Sequence, residues 1–165
     1  MKSSLFRMIT VTMLMLLAPA VTSTLYAHHS FAMYDRDITY LFTGVVDSIN
    51  PDASHLQINF VPLNDARDAL VRNAVGERVT WNVEMEGAAF SAREGVSAST
   101  FPRGTVFSVA LTPLRNGEPG GSRVGGLFKC PEGKPPAAGM HCDSVEGATH
   151  IGEQPLGTAT ANWAP

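Results

Sequence analysis

Alternating apolar and polar positions in the first half of the chain predict half-buried β-strands. The clearest alternation lies in residues 78–86, RVTWNVEME, and a second in residues 55–63, HLQINFVPL. Residues 39–49, TYLFTGVVDSI, are rich in β-branched and aromatic side chains, with Gly44 placed where a strand can kink. The apolar side chains predicted to share the inner face of two of these strands are Leu56, Ile58, Phe60, Val79, Trp81, Val83 and Met85.

The second half of the folded region predicts one helical element and two further strands. Residues 87–101, GAAFSAREGVSASTF, are typical of a helix or helical turn broken around Gly95. The apolar runs 104–114 and 122–130 are joined by RNGEPGG, a strong turn signal. Five strands, with a helical element between the third and fourth, is the order of an OB-like β-barrel. Another small β-sandwich or meander is the alternative.

Two segments are less regular. The polar residues 64–77, NDARDALVRNAVGE, predict an excursion that includes a short helix ended by Gly76. After Cys130 the chain is rich in Pro, Gly, Ala and Thr, and it has too few large apolar residues to order itself, which predicts an irregular tail. The predicted domains are therefore a barrel over 28–129 and a tail over 130–165.

Residues 1–27 are typical of a secretory signal peptide: a positive start, an apolar run at 8–18, and small residues. We favour cleavage after Ala27, with cuts after Ala20 or Ser23 as the alternatives. The apolar run is shorter than the roughly 20 residues of a membrane span. The sequence thus predicts a periplasmic or secreted protein without a membrane span after cleavage, a retained anchor being the alternative.

Charge restricts the partners. The chain has 12 Lys and Arg against 15 Asp and Glu, a net charge of −3. The predicted signal holds two basic and no acidic residues, so its removal leaves a net charge of about −5. Nucleic acids and anionic membranes require a basic surface, and neither is expected as a partner.

The chain contains two cysteines, Cys130 and Cys142. In an oxidising exported compartment this pair predicts a disulfide that closes a short loop. Two thiolate metal ligands are the alternative, which no Cys-x-x-Cys spacing supports.

The paired histidines after the signal suggest a metal site. Cleavage after Ala27 would make His28 the first residue, with its α-amine and ring Nδ1 able to chelate one ion. Such nitrogen ligands suit Cu(II) or another late divalent metal. His29 and His55, at the start of the second predicted strand, are the candidate additional ligands. The alternative is an exposed pair that binds metals only weakly, and His141 and His150 are interpreted as ordinary surface histidines.

Catalytic motifs are absent from the sequence: there is neither a phosphate-binding glycine loop nor a recognisable nucleophile arrangement. The prediction is a binding protein rather than an enzyme, with copper as its possible metal. A metal-free interaction module, using the barrel face or the hairpin at Asn116–Gly121 to contact a protein or small molecule, is the alternative. A copper oxidase using the terminal histidine is a third class.

Several motifs together resemble a family of small exported bacterial proteins of unknown function that begin Ala-His-His-Ser-Phe-Ala-Met-Phe-Asp. They are HHSFAMYD, TGVV, the NP turn, VTWNVE and PLRNGEPGG, within residues 27–128. The resemblance implies an OB-like β-barrel. It also implies two further histidines, but Asp52 and Thr112 stand at those positions here.

Overall fold

A computed structural model describes residues 31–52 and 54–164, with side chains from residue 32 onward. The chain divides into two units, Met1–Phe31 and Ala32–Pro165, and all of the first except Phe31 lies outside the described residues. The strands are β1 (Tyr40–Pro51), β2 (Leu56–Pro62), β3 (Trp81–Glu84), β4 (Val106–Pro113), β5 (Gly120–Lys129) and β6 (Thr149–Leu156). Within the described residues, the helical elements are α1 (Ala88–Glu94) and two 3-10 turns, Phe31–Met33 and Cys142–Ser144.

Five of the strands close into a barrel. Antiparallel pairing gives the order β3-β2-β1-β4-β5, and a parallel pairing of β3 with β5, including Val83 opposite Gly121, joins the two ends. With α1 between β3 and β4, this is the topology of a five-stranded OB-like barrel. The predicted fold class is therefore confirmed. Closure pairs the strand edges that an open sheet would expose.

The barrel interior is filled by the side chains that the alternation placed on one face. Phe60, Trp81 and Val83 are at most 4 % exposed, and Phe107 from β4 contacts the Phe60 ring edge-on at 5.3 Å. Gly44 lets β1 pass close to β2, because a Cβ there would lie 2.5 Å from the Phe60 ring. The β1–β2 register shifts between Val46 and Ser48, so the bulge lies just beyond this glycine.

The helical element is shorter than its sequence segment. α1 ends at Gly95, whose φ of 100° is the left-handed conformation that glycine adopts without strain. Beneath α1, the Arg123 guanidinium bonds Glu86 and Glu94 at 2.9 and 3.1 Å. No helix among residues 31–52 and 54–164 is long and apolar enough to cross a bilayer.

The short helix expected before Gly76 is not formed. Residues 64–77 contain turns and isolated bridges, such as Leu63 with Leu70. The Asn64 side chain accepts hydrogen bonds from the backbone N–H groups of Asp68 and Ala69, at 3.1 and 3.3 Å. Asparagine side chains compete in this way with helical hydrogen bonding, and here the local turn prevails.

The irregular tail also requires a correction, because it contains β6. This strand pairs with β5, placing Ile151 opposite Leu127 in the core. The Cys130–Cys142 disulfide is formed, as predicted, and ties the intervening segment to the barrel. The tail lacks enough apolar residues for a core of its own, but it pairs with an existing strand edge and buries a few side chains in an existing core.

Candidate functional site

An open groove of about 690 Å³ lies beside the first residues of β1. Three parts of the chain line it: Leu41–Thr43 of β1, the segment 62–72 after β2, and tail residues between Gly139 and Trp163. From their sequence alone, the last two segments are predicted to be a polar excursion and an irregular tail. Their packing against β1 creates the groove.

The groove borders an unpaired part of the β1 edge. β1 pairs with β4 from Tyr40 onward, whereas its pairing with β2 begins only at Gly44. The Thr43 carbonyl accepts a hydrogen bond from Leu63 and the Thr39 carbonyl one from Thr160, at 2.8 and 2.9 Å. Backbone groups alternate in direction along a strand, and Leu41 lies midway between Thr39 and Thr43. The N–H and C=O of Leu41 therefore point to the same side of β1 as the two carbonyls that accept these hydrogen bonds. They are a backbone donor and acceptor at the groove.

Arg67 is held rigidly at the groove. Its Nε donates to the Met140 carbonyl and its Nη1 to the Asn64 carbonyl, both at 2.9 Å. Its φ of 62° makes it the one non-glycine residue with positive φ in the described part of the chain. That conformation is unfavourable for a side chain with a Cβ and persists where the surroundings impose it. Burial lowers the pKa of the guanidinium and the nearby Asp65 opposes this, but arginine stays charged.

His141 is joined to a chain of buried hydroxyl groups. Its Nδ1 lies 2.8 Å from Thr43 Oγ1, which lies 2.7 Å from Ser108 Oγ, which accepts the Cys142 N–H at 2.8 Å. We assign the hydroxyl proton of Ser108 to Thr43, because Ser108 is fully buried and Thr43 Oγ1 lies within hydrogen-bonding distance of it. With this assignment Thr43 donates to His141 Nδ1, and the imidazole is neutral with its proton on Nε2.

The electrostatics agree with a neutral imidazole. Burial lowers the pKa of His141, the positive charge of Arg67 lowers it further, and Asp143 acts in the opposite direction. The cysteine next to His141 forms the disulfide, which fixes the end of this segment. The tail therefore positions His141 beside the groove, and its lowered pKa favours the neutral imidazole there.

An aromatic cluster lies at the tail side of the groove. The Trp163 ring packs against Phe42 and Trp81, with centroid distances of 5.5 Å in both cases. Trp81 Nε1 is buried without a hydrogen-bond partner. Phe42 and Trp163 both line the groove, so it combines apolar ring surface with polar donors.

The predicted metal ligands fall in different places. His28 and His29 lie outside the described residues. His55 is half-exposed, and its Nδ1 lies 3.3 Å from both Glu84 Oε1 and the Met85 carbonyl. Glu84 also hydrogen-bonds Tyr34, whose burial and proximity to this carboxylate raise the pKa of its phenol to about 12.

Of the two positions where the resemblance implies histidine, Asp52 is exposed and Thr112 lies in β4. Hydrogen bonds from Ser54 lower the pKa of Asp52. No group of three or more His, Cys, Asp or Glu able to hold a metal occurs within residues 31–52 and 54–164.

Sequence reasoning missed the groove residues Arg67, His141 and Trp163. Arg67 and His141 lie in segments without periodicity, and nothing in either segment indicates that they face each other. One signal was present: His141 precedes a cysteine predicted to form a disulfide, so its backbone was bound to be fixed. Trp163 is a large aromatic residue in a tail otherwise poor in them, which favours a packing role.

The fold and the groove define a class: an OB-like β-barrel with a partly apolar groove of small-molecule size. Within it, the chain belongs to a family of proteins of unknown function (DUF6152), whose model matches residues 16–123. The match ends within β5, so the tail residues of the groove lie beyond it. No curated protein and no solved structure matches the chain.

Proposed function

We propose that this protein is an exported binding protein that holds a small organic ligand in the groove beside β1. The observation that carries the proposal is the groove itself, whose volume of about 690 Å³ falls within the roughly 300–1,000 Å³ of small-molecule sites. Such sites combine apolar surface with a few fixed polar groups. Phe42 and Trp163 supply the first, and Arg67 and His141 the second.

Binding is favoured over catalysis by the burial of Thr43. The pair of Thr43 hydroxyl and His141 imidazole, 2.8 Å apart, has the composition of a nucleophile and its base. Thr43 is only 2 % exposed, however, and its hydroxyl already contacts Ser108. It orients the histidine and is not placed to attack a ligand.

Two features support an exported location. The charge and hydropathy pattern of residues 1–27 is that of a secretory signal. The Cys130–Cys142 disulfide is a bond that persists in oxidising compartments and is rare in reducing ones.

The test blocks the groove without changing the barrel. Ala161 lines the groove, whereas the exposed Ala164 does not, so Ala161→Trp and Ala164→Trp form a matched pair. A fragment library is titrated into the ¹⁵N-labelled protein, and amide shifts are followed by NMR. Fragments that shift Leu41–Thr43 should lose affinity in Ala161→Trp and keep it in Ala164→Trp. Shifts that never reach β1, or that survive the block, would refute the groove as the binding site.

A second candidate function is copper binding at the N-terminus. It is supported by the sequence, in which cleavage after Ala27 gives His28 both an α-amine and an imidazole as ligands. Protein secreted with its own signal would be checked by intact mass and titrated with Cu(II), beside a version with one extra alanine before His28. Tight one-to-one binding lost on adding that alanine supports the site. Equal, weak binding by both versions removes it.

A further inference from the structure

Resting on the proposed function, we propose that the groove ligand is a small organic carboxylate with an apolar body. The carboxylate would lie against Arg67 and His141, and the body against Phe42 and Trp163. The four side chains all line the same groove.

Arg67 supplies the charge. Its bonds to Met140 and Asn64 use Nε and Nη1, which leaves the N–H groups of Nη2 for a ligand. The guanidinium is already fixed by these bonds, so a ligand does not have to order a long side chain on binding. Hydrogen bonds between an ionised donor and a carboxylate are about twice as strong as neutral ones.

His141 supplies a directed neutral donor. In the tautomer assigned above, the hydroxyl chain from Ser108 through Thr43 occupies Nδ1 and leaves the proton on Nε2. An N–H donor suits an acceptor oxygen. A ligand that itself donates to the imidazole would meet no free lone pair on either ring nitrogen.

The charge balance of the groove favours a monoanion. Arg67 and Arg72 contribute two positive charges to its lining and Asp65 one negative charge, a net charge of +1 in a chain whose net charge is −3. A carboxylate neutralises this excess of one charge, whereas a dianionic phosphate would leave the groove with a net negative charge.

The apolar half of the groove fits a ring or short hydrocarbon. The Phe42 and Trp163 rings both line the groove and are tilted by 59° to each other. Phe42 is only 5 % exposed, whereas Trp163 is half-buried, so Trp163 offers more ring surface to a ligand. Aromatic rings prefer offset or edge-to-face contacts, which the Trp163 ring can make with a ring of the ligand.

The test compares two probes of nearly equal shape, 2-naphthoate and its neutral amide, 2-naphthamide. Affinities are measured by calorimetry, and amide shifts of Leu41–Thr43 by NMR locate the probe. We expect the carboxylate to bind at least ten times more tightly than the amide. Arg67→Gln should bring the ratio close to one, because the carboxylate affinity falls far more than the amide affinity. Arg103→Gln, the same change of charge at an exposed residue outside the groove lining, should preserve the ratio.

Arg67 also holds its loop, so Arg67→Gln could weaken the fold. In that case two other measurements test the proposal: the ratio of the two affinities in Arg67→Lys, which keeps the charge, and the dependence of the wild-type ratio on salt. The ratio should persist in Arg67→Lys and fall as salt rises.

Equal affinities in the groove would overturn the carboxylate assignment and leave the proposed binding function intact. An equal loss of preference in Arg67→Gln and Arg103→Gln would mean general charge attraction and would also overturn it. If neither probe shifts the β1 amides, the assignment fails, and the fragment titration against Ala161→Trp then decides the binding function separately.

Discussion

Replacing Thr43 by valine tests how the tail histidine is kept neutral. Valine has nearly the shape of threonine but lacks the hydroxyl, so Thr43→Val removes the central member of the chain between Ser108 and His141 without opening a cavity. Ser108 is then left fully buried with a hydroxyl proton that lacks its acceptor.

The magnitude follows from burial. A buried polar group left unsatisfied costs about 1–3 kcal/mol. The additional apolar group of valine recovers up to about 0.8 kcal/mol. The lost contact to half-exposed His141 is replaced in part by water and adds little. We therefore expect the free energy of unfolding to fall by about 2 kcal/mol.

The pKa of His141 should change together with stability. In the wild type this pKa lies below its ordinary value, so neutral His141 contributes stability that is present above pH about 6.5 and is lost as the pH falls through the folded pKa. Without the Thr43 hydroxyl donating to Nδ1, the pKa of His141 should rise and the acid dependence should weaken, while burial and Arg67 continue to lower this pKa.

The assay is urea unfolding between pH 5 and 8, combined with NMR titration of the His141 ring. Thr112→Val is the matched control, because Thr112 is a half-buried β4 threonine that takes no part in this hydroxyl chain. Its effect should stay within about 0.5 kcal/mol. If Thr43→Val changes stability no more than this control and leaves the His141 titration unmoved, the hydroxyl chain does not set the state of the imidazole.

Three further predictions concern other parts of the fold. Replacing Cys130 and Cys142 by alanine should lower the unfolding free energy by about 3 kcal/mol in urea, because the disulfide restricts the unfolded chain; a longer loop than this one, with a sequence separation of 12, would give a larger effect. A loss below about 1 kcal/mol would contradict this. The pKa of Tyr34 is about 12, so the neutral phenol stabilises the fold by about 2–3 kcal/mol. This contribution is fully present below pH 10 and is lost as the pH rises through 12. Tyrosinate absorbance and alkaline unfolding should therefore change together. Arg123→Ala leaves the partly buried Glu94 without its cation and should cost about 2–3 kcal/mol by thermal or urea unfolding, less than a fully buried pair because water reaches the carboxylates. An effect typical of a surface residue would refute the partly buried pairing.

The barrel could be predicted because the alternation of apolar and polar residues within each strand shows which side chains face the core. Trp81 and Val83 are two residues apart, and in a strand that spacing alone places both on one side. The turn at Asn116–Gly121 and the order of the five strands then leave few ways to bury these faces. The disulfide could also be predicted from the sequence, since the chain has only two cysteines and one pairing is possible between them.

The groove could not be predicted because it depends on residues far apart in the sequence. Thr43 and His141 are 98 positions apart, and Arg67 is 73 from Met140. Neither the segment around Arg67 nor the tail has a periodicity from which a partner can be inferred. Only the closed barrel leaves the edge of β1 beside Leu41 unpaired and gives the tail a place to bind.

The sequence by itself therefore determined the barrel, its core faces and its single disulfide, each of which follows from local alternation or from composition. Tertiary structure alone decided that β6 forms, that the tail packs against β1 and that His141 lies within hydrogen-bonding distance of Thr43. The reason is physical: the tail lacks the apolar surface to order itself, and its structure exists only where β5 provides a strand edge and Phe42 and Trp81 provide an apolar surface for Trp163.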